Sequence, residues 1–243
     1  MSKVVIVTGA SRGIGRNIAY NLALVGYKVI ACYNRSKDDA ENLKEELAKQ
    51  NIEIDLYKVD VSKREEVAKM VDFVIKKYEK IDVLINNAGI AQPKLFTDIT
   101  DEDFDKMIKT NLYSVFFTTQ EVVRHMIKEH NGSVINISSI YGLTGGSCEV
   151  HYSMAKAGVD GLTKALAKEL GPSNIRINSI APGAIDTDMN KGLSEEDWKE
   201  VIEETPLMKK GYPIDLTRCV KWLVEDEFTT GQVISPNGGL VIT

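Results

Sequence analysis

The chain has 243 residues, 43% of them hydrophobic and 27% charged, with a formal net charge of −5. That length and balance suit one α/β domain with a sizeable core and exclude a disordered or low-complexity chain. The negative balance argues against a broad nucleic-acid footprint, and no apolar run approaches the ~18 residues of a membrane span.

The N-terminal "MSKVVIVTGA" enters a strand-like run at once, so no signal peptide is expected. Residues 3–9 read as a buried strand, and 14–26 carry apolar residues at helical spacing. A second strand is expected at 28–33 and a helix at 38–50, followed by a strand at 52–60, a helix at 64–78 and a strand at 81–87. Residues 101–129 carry helical signals opened by Asp101, Glu102 and Asp103, whose charges favour a helix N-terminus. Strand 132–138 precedes a long helix at 152–171, which Gly171 and Pro172 end. A strand at 175–183, helices at 194–204 and 213–225 and a strand at 231–236 complete the chain. Regular βα alternation with continuous apolar strands predicts a mostly parallel sheet covered on both faces. The expected fold is α/β, a single-domain Rossmann-type doubly wound parallel sheet of seven strands flanked by helices, over residues 1–243.

Three cysteines, Cys32, Cys148 and Cys219, are widely spaced, with no CxxC pair and no histidine cluster. No metal site is expected, and the odd count suits a reducing cytosol. Cys32 and Cys219 lie in apolar stretches and read as packing residues.

Ligands of such sheets bind beyond the carboxyl ends of the strands. "TGASRGIG" (8–15) stands there, between the first strand and the first helix, with Gly9, Gly13 and Gly15 in a G-x3-G-x-G pattern. Glycines permit a tight turn and close approach of backbone to a pyrophosphate, which the helix N-terminus favours. A chain that holds NAD usually ends its second strand in an acid that accepts from the ribose 2′-OH. Here that end reads Cys32, Tyr33, Asn34, Arg35. Arg35 and Arg12 are suited to grip a 2′-phosphate, so NADP(H) is the expected cofactor.

"TGASRGIG", "NNAG" (86–89), Asn111, "SS" (138–139), "YSMAK" (152–156) and "APGAIDTDM" (181–189) follow one another in an order that resembles the classical short-chain dehydrogenases/reductases, over essentially the whole chain. The resemblance implies a catalytic set of Asn111, Ser139, Tyr152 and Lys156. It implies cofactor contacts from Gly9, Ser11, Arg12, Gly13, Ile14, Asn34 and Arg35, and from Asp60 and Val61 at the adenine. Asn87, Ala88 and Gly89 fall beside the adenosine ribose, while Pro182, Gly183, Ile185 and Thr187 fall over the nicotinamide, which Tyr152 and Lys156 also approach.

Independently of the resemblance, Tyr152 and Lys156 stand at i and i+4 and share a helix face. A free tyrosine has a pKa of about 10, and a nearby ammonium and a cationic nicotinamide are expected to lower it. Tyr152 then acts as general acid to a ketone oxygen. In the roles that the resemblance implies, Ser139 hydrogen-bonds that oxygen, Lys156 holds the nicotinamide ribose, and Asn111 positions water in a proton relay.

Within the family the chain is similar to 3-oxoacyl-[acyl-carrier-protein] reductases. Two positions where those carry carrier-docking arginines hold His130 and Ser173, and their usual "DGG" is "NGG" at 237–239. A second resemblance, carried by 138–158, is to reductases of the 5-aminopentanone-modified lysine of elongation factor P. In that reading Cys148 and Glu149 line the substrate mouth, and Glu149 pairs with the ammonium of an aminoketone. The substrate is thus a ketone, carrier-bound or on a modified protein. Residues 187–212 are placed to act as a lid, and Lys209 and Lys210 read as a solvated pair. The family implies a cytoplasmic homo-oligomer, tetramer or dimer, with Gly158 and Gly161 allowing close helix packing.

Overall fold

The computed structural model describes Ser2–Ile242. Its strands are β1 (Val4–Val7), β2 (Lys28–Tyr33), β3 (Asp55–Lys58), β4 (Val83–Asn86), β5 (Gly132–Ile137), β6 (Ile175–Ile180) and β7 (Val233–Ile234). The helices are α1 (Gly13–Leu24), α2 (Lys37–Ala48), α3 (Arg64–Tyr78), α4 (Asp101–Ile108), α5 (Ser114–Glu129), α6 (Ile140–Thr144), α7 (Val150–Leu170), α8 (Glu195–Glu204) and α9 (Pro213–Glu225). All pairings are parallel, in the order β3-β2-β1-β4-β5-β6-β7. The expected doubly wound sheet is therefore the observed one.

Successive strand residues face opposite sides of the sheet. Val5 and Val7 of β1, with Val29 and Ala31 of β2, pack against α1, α2 and α9 through Ile18, Leu22, Leu43, Leu47, Leu216 and Val220. Val4 and Ile6, with Ile30 and Cys32, face α3, α5 and α7 through Val67, Met70, Val74, Val122, Met126 and Leu170. Burial on both faces is why these strands are continuously apolar. Cys32 is buried with its sulfur 3.3 Å from that of Met70, and burial pushes its thiol up. Cys219 is partly buried, its thiol pushed up to about 11. Both are packing residues.

The winding reverses between β1 and β4, so their carboxyl ends open the crevice in which such folds take ligands. Three departures from the sequence reading bear on that crevice. The expected helix at 101–129 is two helices joined by a π-helical turn, Lys109–Tyr113. The strand expected to 183 ends at Ile180, although Ala181 N–H still donates to the Ile234 carbonyl and Gly183 N–H to that of Pro236. A short helix, α6, stands between β5 and α7 where none was expected. Among the described residues no helix is long and apolar enough to cross a membrane.

Candidate active site

The turn after β1 is held by its neighbour β4. Thr8 Oγ1 accepts from the N–H groups of Asn87 (2.9 Å) and Ala88 (3.1 Å), and Asn87 Nδ2 donates to the carbonyls of Thr8 and Gly9 at 3.0 Å each. Gly9 (φ +64) and Gly13 (φ +56) adopt left-handed backbone that other residues resist. A Cβ on Gly9 would lie 2.9 Å from Ala88 Cα, and one on Gly15 would overlap the Gly9 carbonyl and Asn87 Nδ2. Asn87 and Ala88 are thus clamps of the turn as well as its neighbours in the crevice.

The start of α1 carries no capping side chain, which leaves its first-turn N–H groups for an anion. Beside α1, between it and the segment after β6, lies a cavity of about 420 Å³ lined by Gly13, Arg16, Asn17, Asp186, Thr187, Asp188, Lys191 and Pro213. Ser11 is buried, Ile14 packs on the core, and Arg12, Asn34 and Arg35 are exposed at the crevice rim. Among the described residues neither Arg12 nor Arg35 joins an ion pair, while Arg16 is engaged with Glu46. At the next strand end Asp60 accepts from the N–H (3.1 Å) and hydroxyl (2.6 Å) of Ser62, and Val61 is buried. A glycine turn before an uncapped helix at the carboxyl ends of the strands fits a dinucleotide.

The other wall is the segment after β6. Pro182 accepts from Ile140 N–H (3.1 Å), and Gly183 lies so close to Asn237 that a Cβ would come within 2.8 Å of Asn237 Cβ. Ile185 is buried and bridges Gly211, and Thr187 closes over Gly13. Lys210, read from sequence as solvated, is instead bound to Asp186 at 2.6 Å and stacked over Trp198 (5.0 Å to the ring centre) and Tyr212 (5.8 Å). The sequence gives no sign of this, because the partners are brought in by the fold.

Ser139, Tyr152 and Lys156 meet at the carboxyl end of β5. Ser139 caps α6, its Oγ accepting from Tyr141 N–H at 3.1 Å, which leaves its proton free to donate. Lys156 is 4% exposed, donates to the Ile137 carbonyl at 2.8 Å, and stands 5.5 Å from the centre of the Tyr152 ring. Burial lowers its pKa to about 8, an effect that Asp160 opposes. The Tyr152 phenol, expected to be lowered, is pushed up to about 12. Burial is the main cause, Glu149 and Tyr141 add to it, and the Ser139 hydroxyl acts the other way. Burial thus sets the direction in the protein alone.

Asn111 lies in the π-helical turn, 0% exposed. Its Oδ1 accepts from Ile90 N–H and its Nδ2 donates to Ile90 C=O, both at 2.9 Å, and Nδ2 also reaches Met107 Sδ. The two bonds to Ile90 hold the chain after Gly89 against the π-helical turn. A Cβ on Gly89 would come 2.6 Å from Asn111 Oδ1 and 3.7 Å from Lys156 Nζ.

Cys148 adopts φ +60, and its carbonyl accepts from Lys94 N–H at 2.8 Å. Glu149 precedes α7; its Oε2 is buried without a hydrogen bond, and burial raises its pKa. His151 is 1% exposed, neither ring nitrogen makes a hydrogen bond, and burial lowers its pKa. Lys94, Tyr141 and Asp160 were not singled out by the sequence reading, since the fold brings them in from segments without a motif.

A parallel doubly wound sheet, a glycine turn at its switch point and a Ser, Tyr and Lys cluster above it define an oxidoreductase that uses a nicotinamide cofactor on CH–OH/C=O groups. The family model for short chain dehydrogenases matches residues 3–198, and the chain belongs to that family. It is 40% identical over 242 residues to the 3-oxoacyl-[acyl-carrier-protein] reductase FabG of Staphylococcus epidermidis, covering 99% of each chain. It is 41% identical over 242 residues to the enzyme of the same name from Thermotoga maritima, covering 99% of this chain and 98% of that one. The enzyme so named from Chlamydia trachomatis is likewise 41% identical over 245 residues.

Proposed function

We propose that this chain is an NADPH-dependent ketoreductase of the 3-oxoacyl-[acyl-carrier-protein] reductase type, one NADP(H)-binding domain over residues 1–243 that works as a cytoplasmic homo-oligomer, tetramer or dimer. The observation that carries the reading is the convergence of Ser139, Tyr152 and a buried Lys156 at the carboxyl end of β5, beside the glycine turn. Gly9, Ser11, Gly13 and Ile14 hold the pyrophosphate, and Arg12 and Arg35, with Asn34, the 2′-phosphate. Asp60 and Val61 take the adenine, and Asn87, Ala88 and Gly89 its ribose. Pro182, Gly183, Ile185 and Thr187 cover the nicotinamide, which supplies the hydride when bound.

Tyr152 O–H donates its proton to the ketone oxygen as that oxygen gains charge. Ser139 donates to the same oxygen and spreads the developing charge. Lys156, anchored through one N–H by the Ile137 carbonyl, keeps its others for the ribose hydroxyls and lowers the phenol as charge builds. Asn111 fixes the chain after Gly89 against this group.

Tyr152→Phe removes the only proton donor of this scheme. It is expected to cut kcat/KM for NADPH-dependent reduction of an acetoacetyl thioester by about 10²–10⁴-fold, with NADPH binding spared. Retained turnover would sink the assignment.

One observation favours a second reading, the reductase of 5-aminopentanone-modified elongation factor P. A carboxylate oxygen of Glu149 is buried without a partner beside Tyr141 and Tyr152, as an acid awaiting an ammonium would be, with Cys148 shaping the mouth. The carrier-docking positions, His130 and Ser173, bear no guanidinium. Competition between an acetoacetyl thioester and the modified protein separates the readings by their kcat/KM ratio.

A further inference from the structure

Lys210 joins three segments that lie apart in the chain. Its ammonium pairs with Asp186, in the segment after β6, at 2.6 Å. The same Nζ lies 5.0 Å from the ring centre of Trp198 in α8 and 5.8 Å from that of Tyr212, just before α9. The main chain beside it is fixed: Asp186 N–H donates to the Gly211 carbonyl at 2.9 Å, and Gly211 N–H to that of Ala184 at 3.0 Å. A Cβ on Gly211 would overlap the Ile185 side chain. Backbone bonds thus already hold Lys210 beside Asp186, and the contact its side chain adds is the one to Trp198 of α8.

The helix has few other ties in this direction. Its Lys199 pairs within the helix, with Glu203, and its start is closed by a capping box of its own, Ser194 with Asp197. Among the described residues no side-chain hydrogen bond or ion pair joins α8 directly to the segment after β6. Asp186 stands in that segment between Ile185, which is buried, and Thr187, which closes over Gly13 of the glycine turn. An ammonium held over ring faces is attracted by their negative quadrupole as well as by its carboxylate. An ion pair of this exposure, 29% for Lys210 and 42% for Asp186, contributes little to stability alone. Its consequence is positional: it sets where Trp198, and with it α8, stands relative to Ile185 and Thr187.

We propose that Lys210 is a positioning residue of the reductase: its ammonium, paired with Asp186 and seated on the rings of Trp198 and Tyr212, docks α8 against the segment that covers the nicotinamide. This rests on the reading of residues 182–187 as that segment and of residues 187–212 as a lid. With the dock intact, α8 closes over bound ketone and cofactor. Without it, α8 stands away more of the time and both bind more weakly, while Ser139, Tyr152 and Lys156, which lie outside this contact, are untouched.

The test reads Trp198 directly. The sequence holds two tryptophans, so Trp222→Phe leaves Trp198 as the sole emitter, and its fluorescence in the cofactor-free protein reports the dock. In that background Lys210→Met, which keeps most of the stem and removes the charge, is expected to shift the emission to longer wavelength. Lys210→Arg, whose guanidinium pairs with a carboxylate and stacks on a ring, should resemble the parent. Asp186→Asn should give the shift of Lys210→Met, and the two together should give less than their sum, since they remove one contact. In turnover, Lys210→Met should raise KM for an acetoacetyl thioester and weaken NADPH binding by about 3–10-fold, with kcat little changed. Unchanged emission in Lys210→Met overturns the proposal, as does a Lys210→Arg that behaves like Lys210→Met, additivity in the double variant, or a fall in kcat with KM unaltered. If Lys210→Met does not fold, Asp186→Asn decides by the same emission. The fluorescence depends on neither turnover nor cofactor, so it separates failure of this inference from failure of the catalytic assignment, which Tyr152→Phe tests alone.

Discussion

Replacing Asn111 by Ala separates a clamp from a proton relay. The substitution deletes the acceptor of Ile90 N–H and the donor to Ile90 C=O, two bonds of 2.9 Å, in a residue with 0% exposure. A net hydrogen bond contributes roughly 0.5–1.5 kcal/mol, and a buried group left unmade costs roughly 1–3 kcal/mol. Two bonds in a partly buried setting, with the small void left by the amide, amount to about 2–4 kcal/mol. For a chain of this size that corresponds to a melting temperature lower by roughly 5–15 °C. Differential scanning calorimetry reads the shift, and NADPH titration of the same samples reads the crevice. Because Gly89 precedes the clamped residue and packs against Asn111 and Lys156, the clamp predicts weaker cofactor binding together with lower kcat. A variant that melts within a degree of the parent and binds NADPH equally, yet loses kcat, would refute the clamp and return the amide to a relay.

The buried lysine should be visible in stability as a function of pH. Its folded pKa of about 8 lies below the ordinary 10.5, so the unfolded chain binds more protons between those values and stability rises with pH across that window. Lys156→Met should therefore gain most over the parent below pH 8, and that advantage should shrink by ~3 kcal/mol by pH 10.5; a constant difference in urea melts would contradict the burial cost. Tyr152 works in the opposite sense: its pKa, raised from 10.0 to about 12, makes the folded state lose stability as pH climbs through that interval. Arg12→Ala and Arg35→Ala should each weaken NADPH binding by about 10–100-fold, the loss of a charge-assisted contact, while NADH binding stays level; equal losses for both nucleotides in calorimetric titrations would rule out the 2′-phosphate contact. Gly15→Ala forces a Cβ against the Gly9 carbonyl and should cost about 1–3 kcal/mol in thermal melts together with dinucleotide affinity.

Much of this molecule is decided by the order of its residues. Continuous burial on both faces of the sheet makes Val4–Val7, Val83–Asn86 and Ile175–Ile180 legible as short apolar strands, and the glycine turn is legible because Gly9 and Gly13 require positive φ. The spacing of Tyr152 and Lys156 places them on one face through helix geometry alone. What tertiary structure decided is the state of those groups and the company they keep. The π-helical turn at Lys109–Tyr113 turns Asn111 onto the Ile90 peptide, burial rather than a neighbouring charge sets the Tyr152 phenol, and Lys210 finds Asp186 and Trp198 across the segment after β6. Each of these depends on desolvation or on contacts between segments far apart in the chain. Local pattern determines which atoms face one way; only the packed fold fixes what lies opposite them and how much water is left between.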